Sequence, residues 1–382
     1  MSARIVALGE TPRVRHPDSS QNTMTFIRDA GQLALRDAGM TVKDIDGLAV
    51  ASFSLGPDHA IDLAWRLGLS VRWLLQDING GVSGINMLGH AVRGIESGAA
   101  SNILVLAGDV TSREDFAKRA KNYNSATRDH LAPLEHGGPN AMFAMLTQRQ
   151  TRKYGLAPTD YGHLVVAQRQ WAAGNPLAAY RDPLTMDEYL NAPLVAAPLR
   201  RLDCVPVVAG ASAMIISSDR RPGAAGTPVR VLAHRQSFNY DHQDGDGLQT
   251  GVRGLAADLW SASGVAPSDM NVVSAYDDYP AIVYAQLADL GFVPGDDIAK
   301  FARERIASRQ LPVNTGGGML SGGQAGHAGG LQGVVEVVRQ LQHRGGERQV
   351  ANAQLGVASG YGMILYRYCA GAGAAVLQRA AA

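Results

Sequence analysis

The chain has 382 residues, of which 46% are hydrophobic and 18% are charged, a balance typical of a globular protein. Its 35 basic and 34 acidic side chains nearly cancel, which gives no electrostatic reason to expect binding to nucleic acid or to an anionic membrane. Cys204 and Cys369 stand in no metal-type spacing, and there is no leader pattern or apolar run of membrane length, so we expect a cytoplasmic protein without a metal site.

The N-terminal part alternates between strand and helix patterns. Residues 4–8 (RIVAL) predict a strand, residues 23–38 a helix and residues 47–52 (GLAVAS) a second strand. Residues 79–84 (NGGVSG) precede apolar positions at helical spacing, and residues 103–107 (ILVLA) form the short apolar run of a buried strand. The strand–helix–strand order predicts a parallel sheet with helices on its faces.

The stretch from about residue 110 to 200 is the least regular. Its clearest element is a predicted helix over residues 140–154, with Met142, Met145 and Leu146 expected on the buried face. His136 precedes that helix in a His-Gly-Gly sequence. A loop histidine there has a pKa suited to proton transfer near neutrality, or it is simply a satisfied loop residue, and the sequence leaves both interpretations open.

A polar, glycine-rich segment over residues 217–228 divides the chain. We place an N-terminal half at residues 1–220 and a C-terminal half at residues 228–382. The second half repeats the alternation of strands and helices, and Pro280 suits the first turn of a helix that follows the sequence Tyr276-Asp277-Asp278-Tyr279. One of the two aspartates is expected to cap that helix.

Residues 311–341 combine a strand end, a glycine-crowded loop and a helix with apolar residues from Leu331 onward at helical spacing. Such a loop either offers backbone N–H groups to an anion or developing oxyanion, or allows tight packing against a neighbour, and glycine content favours neither. The phosphate-binding pattern GxxxxGK[ST] is absent.

This loop resembles the C-terminal motif of the thiolase superfamily, in which Asn-x-x-Gly-Gly precedes a Gly-His-Pro loop and a helix. Five residues fall on family positions: Asn314, Gly317, Gly318, Gly323 and Gly330. Gln324 stands where thiolases carry their histidine, and His327 lies three residues further on. The motif frame is kept, while the residue that acts chemically in the family has changed.

The resemblance extends to the other active-site segments, including a match of residues 163–204 to the loop domain and its flanks in sterol-carrier-protein-type thiolases. Thiolases begin one central helix with Cys-x-Ser-Gly, where this chain has Gly81-Val82-Ser83-Gly84, so the cysteine nucleophile is absent. Tyr276 stands where the family has Asn or His. Ser359 and Tyr361 occupy the region of the second catalytic cysteine, and Cys204 and Cys369 are expected to be structural.

The resemblance implies an α/β thiolase fold with two similar βαβ-built halves in an αβαβα arrangement and an inserted loop domain at about residues 110–200. It also implies retro-aldol cleavage of a β-hydroxyacyl-CoA, similar to the cysteine-lacking steroid side-chain aldolases. Tyr276 is the expected proton acceptor, while Asn314 and His327 polarise the thioester oxygen and Gln324 donates a hydrogen bond. His136 and Tyr361 complete the expected site, and contacts to the coenzyme A thioester are expected at Gly81, Gly317 and Gly318.

Two other functions remain open from the sequence: an acyltransferase subunit of a larger complex, and a non-catalytic scaffold that binds acyl-CoA. In each case the resemblance implies a homodimer formed through a sheet edge, with a small zinc-ribbon and OB-fold protein as a further partner. Coenzyme A thioester enters as substrate, and no bound cofactor is expected.

Overall fold

The computed structural model describes residues 2–56, 59–122, 125–134, 138–218, 226–242, 244–326, 328–364 and 369–381. His136, His327 and most of the predicted linker therefore lie outside the described residues, and the proposed division at residues 220 and 228 stays a prediction.

The described residues form eleven strands and twelve α-helices, joined by short 3-10 and π turns. The strands are β1 (Arg4–Glu10), β2 (Gly47–Ala51), β3 (Trp73–Asp77), β4 (Asn102–Asp109), β5 (Leu194–Ala196), β6 (Leu199–Arg200), β7 (Gly210–Ser217), β8 (Val229–Phe238), β9 (Val272–Ala275), β10 (Leu355–Ile364) and β11 (Cys369–Arg379). The helices are α1 (Thr23–Ala38), α2 (His59–Arg66), α3 (Ser83–Glu96), α4 (Arg113–Lys121), α5 (Pro139–Tyr154), α6 (Pro158–Ala173), α7 (Met186–Leu190), α8 (Ala256–Ser263), α9 (Pro280–Asp289), α10 (Ile298–Phe301), α11 (Gly318–Gly322) and α12 (Ala328–Leu341).

Nine strands form one sheet in the order β3-β2-β4-β7-β1-β8-β11-β10-β9, with β5 and β6 as a separate pair. The prediction of a parallel sheet is wrong for most of it. Only β2 with β3, β2 with β4 and β9 with β10 run parallel, and the remaining neighbours are antiparallel. The β10–β11 connection shows the reason, because residues 365–368 are too few for the crossover that a parallel pair needs.

The strands bury both faces, and alternate residues serve different cores. In β4, Ile103 and Val105 pack with the central helices α3 and α12, whereas Leu104 and Leu106 pack with α1. In β11, Leu377 joins the same central core, while its neighbour Val376 faces α6, α8 and α9. The strands around β4 thus lie between α1 and the central helices, and the strands around β11 lie between the central helices and α6, α8 and α9. The layers are therefore helix, strand, helix, strand and helix, which confirms the expected αβαβα arrangement.

Glycines allow the two central helices to begin in contact with each other. A Cβ on Gly84 would lie 1.9 Å from the carbonyl oxygen of Gly330, and a Cβ on Gly330 would lie 3.0 Å from that of Gly81. Backbone meets backbone here, so these glycines serve close packing. At these positions the packing interpretation of the glycine-rich sequences is correct.

The irregular region carries α4 to α7 and the β5–β6 pair. Helix α5 begins at Pro139, next to the predicted start, but Met145 is 60% exposed and does not belong to its buried face. Helix α6 packs on α11 and α9, and so brings this region against helices of the C-terminal part of the chain. Across the described residues, no helix combines the length and apolar character needed to cross a bilayer.

Candidate active site

Tyr276, the residue that follows β9, borders a cavity of about 1030 Å³, a volume that includes the space at its opening. The wall combines apolar side chains with a few polar groups at one end. The described lining residues are Phe53, Gly80, Gly81, Thr111, Phe116, Pro139, Asn140, Cys204, Val205, Val207, Tyr276, Asp278, Tyr279, Gln324, Gly326 and Ile364.

Three polar side chains meet at this end of the cavity. Gln324 Nε2 donates one hydrogen bond to the Tyr276 hydroxyl oxygen at 2.9 Å and another to Asp278 Oδ1 at 2.5 Å. The Tyr276 hydroxyl also hydrogen-bonds the Asp278 carboxylate. The amide, the phenol and the carboxyl group are thus hydrogen-bonded to one another, and all three side chains border the space available to a ligand.

The backbone fixes the position of Gln324. Its N–H donates to the carbonyl of Pro206 at 2.9 Å, and its carbonyl accepts from the N–H of Val208 at 3.0 Å. These bonds hold the start of the loop before α12 against the segment that leads into β7. The amide is therefore presented to Tyr276 by two segments that are far apart in sequence.

Burial raises the pKa of Asp278 to about 7, although the hydrogen bond from Tyr276 acts in the opposite direction. Both protonation states of this carboxyl are consequently populated near neutral pH. A carboxyl group of that kind is able to take up and release a proton during a reaction.

Gly81 lies against Tyr276 and explains why no side chain is present at the position of the thiolase nucleophile. A Cβ on Gly81 would lie 2.2 Å from Cζ of Tyr276 and 2.3 Å from the carbonyl oxygen of Tyr361. Real Cβ atoms do not approach other atoms so closely. The tyrosine ring and a cysteine at residue 81 are therefore mutually exclusive in this backbone arrangement.

Asn314 positions the end of β9. Its Oδ1 accepts from the N–H of Ala275 at 2.9 Å, and its Nδ2 donates to the carbonyl of the same residue at 2.9 Å. Asn314 lines a second cavity, of about 630 Å³, which Tyr276 also borders. The structure thus brings Asn314 to the backbone next to Tyr276 and not to the cavity that holds Gln324.

Asp277 also has a different place from the one expected. The N-cap residue of α9 is Tyr279, which makes no side-chain cap hydrogen bond, so the prediction that an aspartate caps this helix is wrong. Asp277 instead accepts hydrogen bonds from the N–H groups of Met319 and Leu320 and from Gln168 Nε2. These hydrogen bonds make Asp277 a structural anchor of the glycine-rich loop, and burial raises its pKa to about 8.

Gly317 and Gly318 shape this loop. A Cβ on Gly318 would lie 2.0 Å from Asp277 Oδ2, and one on Gly317 would lie 2.5 Å from the Cβ of Ala172. Both residues have positive φ angles, of 94° and 57°. The space that they leave is filled by protein atoms, and the predicted contact of these two glycines with coenzyme A stays untested.

Tyr361 packs behind the cavity wall. Its hydroxyl accepts the N–H of Cys369 at 3.1 Å, and its ring lies 6.1 Å from that of Phe143 in a tilted arrangement. The described lining residues do not include Tyr361. Its observed contacts are those of a packing residue, which differs from the pocket position expected from the sequence.

Comparisons with known proteins agree with this geometry. Residues 234–377 match the family described as "Thiolase C-terminal domain-like". The chain is 30% identical to the 17-hydroxy-3-oxo-4-pregnene-20-carboxyl-CoA lyase of Mycobacterium tuberculosis, over 89% of this chain and 91% of the lyase. The chain belongs to the thiolase superfamily.

Two further relatives of this thiolase-superfamily member have different activities. It is 27% identical to an acetyl-CoA acetyltransferase of Methanothermobacter thermautotrophicus, over 88% of this chain and 90% of that protein. Among solved structures, it is similar to the Ltp2-ChsH2(DUF35) aldolase, with a TM-score of 0.83, 22% identity and coverage of 99% and 98% of the two chains. The structural match shows the same fold.

Cys204 is a departure from the sequence-based expectation, because this thiol lies in the wall of the main cavity. Burial, together with the carboxylates of Asp203 and Asp278, raises its pKa to about 12. A thiolase nucleophile needs a lowered pKa, so this thiol has the opposite electrostatic setting. Burial likewise raises the pKa of Cys369 to about 12, and its Sγ donates to the carbonyl of Gly371.

Asp278 is the functional candidate that the sequence interpretation missed in this thiolase-like site. The adjacent aspartates look equivalent in sequence, but successive residues after a strand point in different directions. One enters the glycine loop and the other enters the cavity. In the described part of the chain, no group of three or more His, Cys, Asp or Glu side chains is arranged to hold a metal ion.

Proposed function

We propose that this protein cleaves a carbon–carbon bond of a β-hydroxyacyl-CoA by a retro-aldol reaction, without a covalent cysteine intermediate. The observation that carries the proposal is the placement of the Tyr276 ring in the space that a nucleophile at residue 81 would need. The chain is a thiolase-like enzyme, and its relative of 30% identity is named as a CoA lyase.

In this reaction Tyr276 takes the proton of the substrate β-hydroxyl group. The bond between Cα and Cβ then breaks, so that Cβ becomes a carbonyl carbon and the electron pair forms an enolate on the thioester side. Gln324 Nε2, which donates to the phenol oxygen, stabilises the negative charge that this oxygen carries when it acts as the base. Protonation of the enolate at Cα releases the shorter acyl-CoA.

The cavity favours a bulky apolar acyl group. Phe53, Phe116 and Ile364 line it together with Val205 and Val207, and such an aliphatic and aromatic wall suits a large apolar group. The lyase relative is named for a steroid CoA thioester. A polycyclic or similarly large apolar acyl-CoA is therefore the substrate class that we assign.

Acyl transfer is the second candidate, supported by the acetyltransferase relative and by the thiol in the cavity. That reaction would need Cys204 as a thiolate, which its pKa of about 12 disfavours. Intact-protein mass measurement after incubation with acyl-CoA distinguishes the two functions. A covalent acyl group that disappears in Cys204→Ser would support transfer, and an unmodified protein that releases a carbonyl product supports cleavage.

We also infer that the protein forms a homodimer through the β3 edge of the sheet. Large apolar side chains are exposed here: Leu74 in β3 by 42%, Ile78 just after β3 by 60%, and Ile61 and Trp65 on the adjacent α2 by 68% and 76%. Such an edge is a natural site for pairing with a second copy. A small zinc-ribbon and OB-fold protein is the further partner that we propose, since the similar aldolase structure bears a two-component name.

Product analysis tests the main proposal. Wild-type protein is incubated with a β-hydroxyacyl-CoA that has a bulky apolar acyl group, and acyl-CoA and carbonyl products are separated by chromatography and identified by mass. Equimolar formation of the two products, retained in Cys204→Ser, supports retro-aldol cleavage. Intact substrate, or products that require Cys204, would overturn it.

A further inference from the structure

The phenol of Tyr276 carries its own proton, which must leave when the hydroxyl proton of the substrate arrives. The group that receives this proton has to lie within hydrogen-bond distance of the phenol. Among the described residues, the Tyr276 hydroxyl hydrogen-bonds the Asp278 carboxylate and accepts a bond from Gln324. The carboxylate is able to accept a proton, whereas the amide Nε2 of Gln324 only donates one.

We propose that Asp278 is the proton store of the reaction: it receives the phenolic proton of Tyr276 as the substrate hydroxyl is deprotonated, and it later supplies the proton that the enolate needs at Cα. The inference rests on the proposed retro-aldol function and extends it to a residue of previously unassigned role.

The position of Asp278 suits both halves of this task. Its side chain lines the same cavity as Gly81 and Gln324, so it faces the space in which the substrate lies. Gln324 Nε2 bonds both Asp278 Oδ1 and the Tyr276 oxygen, which fixes the carboxyl group beside the phenol. In the substrate, Cα is only two bonds away from the hydroxyl oxygen that meets Tyr276.

Burial keeps the proton affinity of Asp278 high, while the hydrogen bond from Tyr276 lowers it. Tyr276 and Tyr279 come from its own segment, and Cys204 faces it from the segment before β7. The charge of Asp278 raises the pKa of the preceding Asp277. Among the described residues, no cation forms an ion pair with Asp278. Burial is therefore balanced mainly by the Tyr276 hydrogen bond, and the pKa of Asp278 rises to about 7.

The proton balance closes without another reactant. The substrate O–H bond breaks and a new O–H bond forms on Tyr276, while the former phenolic proton moves to the Asp278 carboxylate. The Cα–Cβ bond breaks, Cβ and its oxygen form the carbonyl group, and the electron pair passes to Cα and the thioester oxygen. The proton then moves from Asp278 to Cα, which leaves the enzyme in its initial state.

The test compares wild type, Asp278→Asn and the matched control Asp289→Asn in the full-length chain. Asp289 is also buried and has a pKa raised to about 6 by burial, but it bonds the N–H of Thr250 and does not line the cavity. Two quantities are measured: the pH dependence of kcat and kcat/KM for cleavage, and the rate at which the acyl-CoA product, added on its own in heavy water, takes up deuterium at Cα.

For wild type we expect kcat/KM to rise with pH through about 7 and then to level, since Asp278 must be ionised in the free enzyme. Asp278→Asn should lower kcat by about 100- to 1,000-fold with little change in KM, lose that rise and lose deuterium uptake. Asp289→Asn should behave as wild type in all three respects.

The role of Asp278 would be overturned if Asp278→Asn kept the wild-type kcat, or if it kept both the rise near pH 7 and the deuterium uptake. Cleavage by wild type would still support the proposed function in that case. Wild type that neither cleaves the substrate nor exchanges the Cα proton would overturn the proposed function and this inference together. Thermal melting of each variant establishes that a lost rate does not come from unfolding.

Discussion

At the scale of single residues, the account depends on the contact between Gly81 and Tyr276. A glycine at the head of a central helix and a tyrosine after a strand are unrelated features in sequence. In the structure each accounts for the other, because the ring lies where any side chain on residue 81 would project. Loss of the thiolase nucleophile and gain of the phenol are thus one steric change.

We predict that Gly81→Ala reduces both stability and cleavage. The added Cβ would meet the Tyr276 ring and the backbone carbonyl of Tyr361, and only the ring is free to move away. Overpacking of this kind costs about 1–3 kcal/mol of unfolding free energy. The unfolding free energy, measured with denaturant, and the cleavage rate should both fall. In the control Gly56→Ala the added Cβ has no atom within 4 Å, and neither quantity should change. Unchanged rates in Gly81→Ala would contradict the steric argument.

The two adjacent carboxyl groups predict how stability depends on pH. In the folded protein the pKa of Asp278 is about 7 and that of Asp277 about 8, both above the ordinary value of 3.8. Between these values the folded state holds protons that the unfolded state has lost, so their stabilising contribution is complete at low pH and disappears as pH rises through the folded pKa.

The unfolding free energy should consequently decrease from about pH 5 to about pH 8, by at most about 1.4 kcal/mol per pH unit for each titrating carboxyl group. Asp278→Asn removes one of these groups and should make the decrease shallower. Denaturant titrations at several pH values measure the slope. Equal slopes in wild type and variant would show that Asp278 has an ordinary pKa.

At the scale of elements, α12 holds the glycine-rich loop in place. Glu336 accepts hydrogen bonds from Thr315 in the loop and from Gln340 on the same helix, and it forms an ion pair with Arg348 at 3.0 Å. Gln332 Nε2 donates to the carbonyl of Gly318 at 3.0 Å. The loop that Asp277 anchors is thus also held by side chains of α12.

Arg348→Met should be strongly destabilising, because it leaves the Glu336 carboxylate buried without its ion-pair partner. Loss of one partner of a buried pair costs about 3–5 kcal/mol. The exposed pair of Arg66 and Asp62 is the matched control, and Arg66→Ala should cost at most about 1 kcal/mol. Chemical denaturation compares the two variants, and similar losses would contradict the importance of the buried network.

The exposed face formed by Trp65, Ile61, Leu74 and Ile78 carries the prediction about assembly. Trp65→Glu places a charge in the middle of that face and should convert a dimer to a monomer in sedimentation experiments. Arg305→Glu changes an exposed residue in the other outer layer and should leave the mass unchanged. A monomeric wild type, or a dimeric Trp65→Glu variant, would refute dimerisation through this edge.

At the scale of the whole molecule, local patterns predicted the elements well and the pairing poorly. The helix over residues 23–38 and the helix start at Pro280 agree with α1 and α9, since apolar spacing and proline position are local signals. The antiparallel strand pairs and the five-residue helix α11 within the glycine loop were not foreseen. Their formation depends on partners that are distant in the chain.

The same distinction applies to the site. The motif frame indicated Tyr276 and Gln324, and the structure brings them to a hydrogen bond. The motif frame did not indicate that Asn314 bonds the Ala275 backbone, that Cys204 lines the cavity or that Asp278 lies beside the phenol. Each of these depends on the direction of a side chain after a strand or turn, which a linear motif does not specify.

Cleavage of a β-hydroxyacyl-CoA by Tyr276→Phe, measured against wild type and Tyr361→Phe, tests the central claim most directly. Phenylalanine keeps the ring that fills the space beside Gly81 and removes only the hydroxyl group that bonds Gln324. We predict that Tyr276→Phe loses at least about 100-fold in kcat, while Tyr361→Phe stays close to wild type. Equal cleavage rates in wild type and Tyr276→Phe would contradict the account.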